Sequence, residues 1–301
     1  MDKGKGDRTE KRFPSAKQDA ARAESTADTP QTRAPSYRLA YTDEEFLVRD
    51  ELRPVRFQLE LMKPELLLQE QGIESTIVVF GSARTPDPET AQAKCDAAEA
   101  AAKKSPKDAA ARREAEVARR IVARCGYYEE ARKFSRLVSK AGQTDHTRHY
   151  VVVTGGGPGI MEAANRGADD VGAVSIGLNI VLPEEQQPNS SITPELCFQF
   201  HYFALRKMHF MMRARAMVIF PGGFGTLDEL FDALTLIQTG KIEPMPVLLF
   251  GEDYWRRIVN FEAMVEEGVI APEDLDIFQY VESAEAAWAI IEEHFKDQPP
   301  Y

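Results

Sequence analysis

Two glycine-rich strings and one basic pair hold most of the residues in this chain whose types and spacing could do chemistry. Gly155-Gly156-Gly157-Pro158-Gly159 stands between an apolar, β-branched run (Tyr150–Thr154) and a helical pattern that begins at Met161. Pro221-Gly222-Gly223-Phe224-Gly225-Thr226-Leu227-Asp228-Glu229 stands in the same way between the run Met217–Phe220 and a second helical pattern. Small residues at a strand-to-helix turn let the backbone approach a ligand closely, and free N–H groups at a helix start attract anions. In the second string the glycine N–H groups and the Thr226 hydroxyl could hold a phosphate, while Glu229 could face a sugar. Each string also has a plainer use. The first could be a tight turn with no ligand, and a carboxylate at Asp228 or Glu229 suits a helix N-terminus in any protein. Capping does not account for Gly222, Gly223 and Gly225 directly before those carboxylates. Neither string is the phosphate loop GxxxxGK[ST], nor the dinucleotide fingerprint GxGxxG with its third small residue.

Between the strings, Arg206 and Lys207 fall near the start of a predicted helix. Cations there oppose the helix dipole at a cost of about 0.3–1 kcal/mol, which points to another use for them. On the same stretch Leu205, Met208, Met211 and Met212 recur at helical spacing and read as a stripe facing the core. His201 and His209 have no metal-spaced partners and read as ordinary surface or core histidines. The sequence has no GxSxG elbow and no HExxH pair, and nothing singles out a pyridoxal-phosphate lysine. No metal and no cofactor is expected.

The elements that must position these residues follow a regular alternation. Short apolar runs at Ile77–Phe80, Tyr150–Thr154, Val174–Leu178, Met217–Phe220, Val247–Phe250 and Ile277–Val281 read as strands buried on both faces. Helical stretches separate them at Met161–Val171, Phe203–Ala216, Thr226–Gln238, Tyr254–Glu267 and Ala284–Phe295. This order predicts an α/β fold, a doubly wound parallel sheet of six or seven strands with right-handed crossovers. Ligands of such sheets bind beyond the carboxyl ends of the strands, where both glycine strings lie. The crossover between Phe80 and Tyr150 is unusually long and rich in Ala, Lys, Arg and Glu. Broken by Pro106 and Gly126, it predicts two or three inserted helices over about 88–145. Residues 1–36 hold almost nothing apolar and predict a disordered tail. Residues 37–75 predict a helical N-terminal extension packed on the main domain (76–296), because Leu52, Val55, Leu59 and Met62 recur at helical spacing.

Composition narrows the function classes. The 301 residues are 43% hydrophobic, enough for one large α/β domain. Acidic residues number 48 against 37 basic, a formal charge of −11. Such a surface repels polyanions on average, so nucleic-acid or anionic-membrane binding is not expected as the main activity. A phosphate must then be held locally, by backbone N–H groups and a few placed cations. There is no apolar run long enough for a membrane span and no secretory h-region. Cys95, Cys125 and Cys197 are an odd, widely spaced set that makes neither a disulfide framework nor a CxxC pair. Reduced thiols in a cytoplasmic protein are expected.

Gly155–Gly159 followed by Ile160-Met161-Glu162, then Arg206-Lys207, then Pro221-Gly222-Gly223-x-Gly225-Thr226-x-x-Glu229, resembles the LOG ("lonely guy") family. These are cytokinin-activating nucleoside 5′-monophosphate phosphoribohydrolases, long mislabelled as lysine decarboxylases. The resemblance covers about residues 75–295. The insertion and the N-terminal extension resemble the longer bacterial subgroup, as does Gly177–Pro183 with Gln186 and Asn189 following. The resemblance implies a Rossmann-like sheet and hydrolysis of the N-glycosidic bond of AMP or an N6-substituted AMP, giving free base and ribose 5-phosphate. It makes Arg206 and Glu229 catalytic. It also makes Lys207, Gly222, Gly223, Phe224, Gly225, Thr226, Leu227, Asp228 and Thr235 part of the nucleotide site, with Gly155, Gly156, Gly157 and Gly159 counted beside them. A homo-oligomer is implied, a dimer or larger, whose site borrows residues across the interface.

Cleavage of an N-glycoside develops positive charge on the ribose, which a carboxylate such as Glu229 can stabilise while it activates water. Binding energy from the remote 5′-phosphate orients the reacting bond. Arg206 cannot act as an acid, because a guanidinium does not give up its proton. Its expected work is to orient Glu229 or the nucleotide. No motif marks the base pocket or the group that protonates the leaving base. A rival from another class is a non-catalytic carrier of a nucleotide or phosphorylated cofactor on the same fold. Such a carrier needs the phosphate cradle but not Arg206 together with Glu229. A regulatory nucleotide sensor, with the insertion docking a partner, is the second rival.

Overall fold

Seven short runs rich in β-branched and aromatic residues pair as strands in the computed structural model, which describes residues 13–144, 147–183 and 187–297. They are β1 (Thr76–Phe80), β2 (Val151–Thr154), β3 (Ser175–Ile180), β4 (Cys197–Phe200), β5 (Ala214–Ile219), β6 (Val247–Phe250) and β7 (Phe278–Val281). All pairings are parallel, and the order across the sheet is β4-β3-β2-β1-β5-β6-β7. Side chains alternate across the sheet, so Ile77 and Val79 join one core and Val78 and Phe80 the other. The sheet is the predicted doubly wound, Rossmann-like one.

Helices cover both faces. On one side α6 (Gly126–Gly142), α7 (Ile160–Asp169) and α12 (Ala284–Phe295) bury Phe134, Val138, Ile160 and Ile291 against the sheet. On the other, α8 (Phe203–Met212), α9 (Phe224–Gln238), α10 (Glu252–Ile258) and α11 (Phe261–Glu266) bury Phe210, Leu230, Trp255 and Phe261. The long crossover holds three helices: α4 (Pro88–Lys104), α5 (Ala109–Val122) and α6. Asp87 caps α4 through the Thr90 N–H, and Asp108 caps α5 through Ala110 and Ala111. The last of the three belongs to the core, so α6 is the crossover helix itself and α4–α5 is the added hairpin.

The chain divides into two compact units, Met1–Glu60 and Leu61–Tyr301. The first contains α1 (Ala16–Ala23), α2 (Glu44–Leu47) and the beginning of α3 (Arg53–Glu70). The prediction of a disordered tail over 1–36 needs correction where the chain is described. Ser15 and Gln18 form a reciprocal capping box at the start of α1, and the Tyr41 hydroxyl donates to the Ala16 carbonyl at 2.9 Å. Local caps build this helix without any buried residue. Residues 1–12 lie outside the described residues. The helical spacing of Val55, Leu59 and Met62 does produce α3, but all three are exposed, so the stripe is not a buried face.

Other differences have local causes. β4 was not predicted, because it is four residues long at the sheet edge and only Phe198 and Phe200 are buried. The helix predicted over Phe203–Ala216 stops at Met212, because the ladder claims the chain there: Thr76 N–H donates to Arg213 O at 2.8 Å. The stretch Tyr254–Glu267 is two helices, the second capped by Asn260 through Ala263. Only half of the stripe Leu205, Met208, Met211, Met212 faces the core: Leu205 and Met211 pack against it, half-buried. Met208 and Met212 are 48% and 42% exposed, and the buried residues are Arg206, His209 and Phe210. Spacing finds an apolar face, but it cannot tell that a partnered arginine and a ring packed 4.8 Å from Phe80 will occupy the inner one. Among the described residues no helix is long and apolar enough to cross a membrane.

Strand order reverses between β1 and β5, which opens a crevice at their carboxyl ends. The loops there are tied together: Ser82 N–H donates to Pro221 O at 3.0 Å, and Ile160 N–H donates to Ser82 O at 3.2 Å. The string Pro221–Glu229 leaves β5 at this point. The string Gly155–Gly159 leaves β2 on the far side of β1.

Candidate active site

Arg206 on α8 and Glu229 on α9 meet inside this crevice. An Arg206 Nη1 donates to Glu229 Oε1 at 3.4 Å, and the side chains are 9% and 2% exposed. The guanidinium is fixed twice more, by Nε donating to the Leu178 carbonyl within β3 (2.7 Å) and by its position 5.1 Å over the Phe210 ring. Leu178 O is a backbone acceptor that no side-chain motif could reveal. Glu229 Oε2 is buried without a hydrogen-bond partner among the described residues. An orphaned carboxylate oxygen is costly in a dry site, and burial pushes the Glu229 carboxyl up to about 7. Arg206 and Lys207 pull it down, while Asp228 and Asp232 add to the rise. Burial likewise draws the Arg206 guanidinium below its ordinary value, against the Glu229 and Asp228 carboxylates, and it stays charged.

The first glycine turn is built around that arginine. A Cβ on Gly155 would lie 2.6 Å from Arg206 Nη2, so only glycine leaves room for the guanidinium. The turn is held from behind by a buried polar network. Thr154 Oγ1 donates to Asn165 Oδ1 (2.7 Å) and accepts from Gly156 N–H (3.0 Å). Asn189 Nδ2 reaches the Gly156 and Gly157 carbonyls and Asn165 Oδ1 at 3.2, 3.1 and 3.0 Å. Asn165 carried no signal in the sequence, because one asparagine inside a helical pattern looks like any other. Asn189 stood out only within the string from Gly177, and Gln186 of that string lies outside the described residues. Gly159 caps α7 at φ 73° and lies against the loop after β1, where a Cβ would be 2.5 Å from the Ser82 carbonyl.

In the second turn, Gly222 lies so close to Thr226 that a Cβ there would be 2.0 Å from its hydroxyl oxygen. Gly223 and Gly225 face the opposite situation, with nothing among the described residues within 4 Å of an added Cβ. Gly223 is the N-cap of α9, so the open side of the turn is the positive end of that helix.

The remaining predicted residues separate into two cavities that share Gly225. One, of about 500 Å³, is bordered by Gly155, Gly157, Met161, Asn179, Phe203 and Arg206. The other, of about 700 Å³, is bordered by Lys207, Phe224, Leu227, Asp228 and Thr235. Neighbours in sequence, Arg206 and Lys207 therefore serve different cavities. Lys207 Nζ is bonded to Asp228 Oδ1 at 2.8 Å, Phe224 is 92% exposed, and the Thr235 hydroxyl is turned back onto the Phe231 carbonyl. Arg206, Glu229 and the glycine turns are brought together, whereas Phe224 and Thr235 stand apart from the buried pair. A third cavity, of about 970 Å³, borders Met208, Met212 and Met245 and contains neither Arg206 nor Glu229. His209 is buried with Nδ1 3.6 Å from a Glu65 oxygen, and His201 is exposed beside Tyr202.

A family model described as "Possible lysine decarboxylase" matches residues 161–291. The chain is 29% identical over 183 residues to the cytokinin riboside 5′-monophosphate phosphoribohydrolase LOG3 of Arabidopsis thaliana, a match spanning 58% of this chain and 83% of that protein. It is 34% identical over 132 residues to LOG1 of the same plant, spanning 42% and 60%. Among solved structures it is similar to the molybdenum cofactor binding protein of Rippkaea orientalis, at 19% identity and a TM-score of 0.40, over 56% of this chain and 88% of that one. With its two glycine turns and the Arg206–Glu229 pair set at the carboxyl ends of a doubly wound parallel sheet, the chain is similar to the proteins of the LOG family.

Proposed function

We propose that this protein hydrolyses the N-glycosidic bond of a nucleoside 5′-monophosphate of the AMP type, releasing free base and ribose 5-phosphate. The observation that carries the reading is the buried Arg206–Glu229 pair, whose second carboxylate oxygen has no hydrogen-bond partner among the described residues. A carrier of a phosphorylated ligand would gain nothing from an orphaned, charge-strained carboxyl. The open N–H groups of the turn at Gly222–Gly225 receive the 5′-phosphate, and the cavity of about 500 Å³ beside Arg206 has room for the nucleoside part. The curated relatives named for this reaction support the same reading.

One carboxyl can serve both halves of the reaction. With a value of about 7, Glu229 holds a proton for part of the time at neutral pH. It gives that proton to the leaving base as the bond from C1′ to the base nitrogen breaks. The carboxylate left behind stabilises the positive charge on the ribose and takes a proton from the incoming water, which restores the acid. Arg206 keeps its proton throughout and fixes the direction in which Glu229 points. The test is direct: purified protein incubated with AMP should release adenine and ribose 5-phosphate in equal amounts. Tight AMP binding without adenine release would favour the carrier instead.

A further inference from the structure

The turn at Gly222–Gly223 is held by a residue outside every motif. The Tyr254 hydroxyl, on α10, donates to the Gly222 carbonyl at 2.6 Å. That carbonyl and the Gly223 N–H belong to one trans peptide, in which the two groups point in opposite directions. Pinning the carbonyl toward Tyr254 therefore aims the Gly223 N–H away from Tyr254, at the N-cap of α9, and among the described residues a Cβ added at Gly223 would also meet nothing within 4 Å.

Tyr254 is itself braced, partly from the helical crossover. Arg124, in the link between α5 and α6, sits 5.7 Å over its ring. Tyr127, at the start of α6, packs edge-on against Phe220, the residue before Pro221, with centroids 6.4 Å apart. Its hydroxyl lies so near Gly251 that a Cβ there would be 2.1 Å away, which fixes the chain entering α10. Trp255 anchors the other side, fully buried, with its indole N–H donating to Phe250 O at 2.9 Å and its ring edge-on to Tyr254 at 5.3 Å.

We propose that Tyr254 is a positioning residue that orients the Gly222–Gly223 peptide toward the phosphate of the bound nucleotide, and that the Arg124–Tyr127 corner of the crossover helices sets Tyr254 in place. The proposal rests on the phosphate-binding reading of the turn given above. It also gives that corner of the long crossover a task, since the corner reaches the carboxyl ends of β5 and β6 from behind.

Tyr254→Phe removes one donor and leaves the ring contacts with Arg124 and Trp255. With AMP as substrate we expect KM to rise about 5–10-fold while kcat stays within about two-fold. The Kd of ribose 5-phosphate, measured by calorimetry, should rise in parallel, and that of adenosine should not change. Arg124→Met keeps an apolar stem without the cation and should shift the same two constants about two-fold; it carries the comparison if Tyr254→Phe fails to fold. Unchanged ribose 5-phosphate binding in a folded variant overturns the proposal, as does an equal loss for adenosine and ribose 5-phosphate. If the parent protein binds ribose 5-phosphate no better than ribose, the phosphate reading of the turn fails first and takes the proposal with it. A parent that keeps that preference beside an indifferent Tyr254→Phe overturns this proposal alone.

Discussion

Replacing Glu229 by glutamine keeps the size and reach of the side chain and removes its charge, which separates what the carboxyl does for stability from what it does for activity. Burial holds the folded carboxyl at about 7, above the ordinary 4.5. Between those pH values the folded chain keeps a proton that the unfolded chain has released. Stability from this group is therefore greatest below pH 4.5 and is lost as the pH rises through about 7. At about 1.4 kcal/mol per pH unit the loss approaches about 3 kcal/mol, a figure that already contains the attraction of Arg206. An amide resembles the protonated carboxyl. Glu229→Gln should thus be more stable than the parent by about 1–3 kcal/mol at pH 8.5, with the difference closing toward pH 5. Urea unfolding at both pH values, followed by tryptophan fluorescence (Trp255 is fully buried), reads this out. AMP hydrolysis in the same variant should fall about 100-fold or more. A variant that is less stable at pH 8.5, or whose difference does not change with pH, would refute the claim that the fold holds this carboxyl raised. Near-normal kcat would remove Glu229 from the chemistry.

The pH profile of kcat/KM with AMP should be bell-shaped, rising toward about 6 as the substrate phosphate becomes dianionic and falling above about 7 as Glu229 loses its proton. A profile that keeps climbing to pH 9 would mean that the ionised carboxylate is the working form. Arg206→Lys should lose most of the hydrolysis, because an ammonium cannot bond Leu178 O and Glu229 with the geometry of a planar fork. Lys207→Arg should be milder, since its bond to Asp228 asks only for a cation; equal effects in the two variants would dissolve the distinction. Gly155→Ala should displace the Arg206 guanidinium and cut turnover about ten-fold or more, while unfolding changes by about 1 kcal/mol. Full activity there would show that the arginine's position is not critical.

Much of this molecule was legible in the chain because the signals involved are local. The strands of the sheet interior, such as Ile77–Phe80 and Val247–Phe250, are buried on both faces and spell themselves as unbroken apolar runs. The turns announce themselves because close backbone approach demands glycine, as at Gly155 and Gly222. An edge strand such as Cys197–Phe200 lacks that signature, since half of it faces away from the core. The Met208 and Met212 stripe misled for a related reason: helical spacing records that a face is apolar, and what lies against that face is set by other parts of the chain.

What the sequence alone determined was the alternation of strands and helices, the two glycine turns at strand ends, and the presence of Arg206 and Glu229 as candidates. Tertiary structure alone decided that these two residues, 23 positions apart on different helices, form one buried pair while the adjacent Lys207 borders another cavity and bonds Asp228. It also supplied the Leu178 carbonyl, the Asn165–Asn189 bracing and the Tyr254 hydroxyl. The reason is physical. Propensity and periodicity act over a few residues, whereas the burial that lifts the Glu229 carboxyl, and the Arg206 charge that opposes it, come from parts of the chain brought together by the fold. No segment of the chain carries that environment until the sheet has assembled and closed over it.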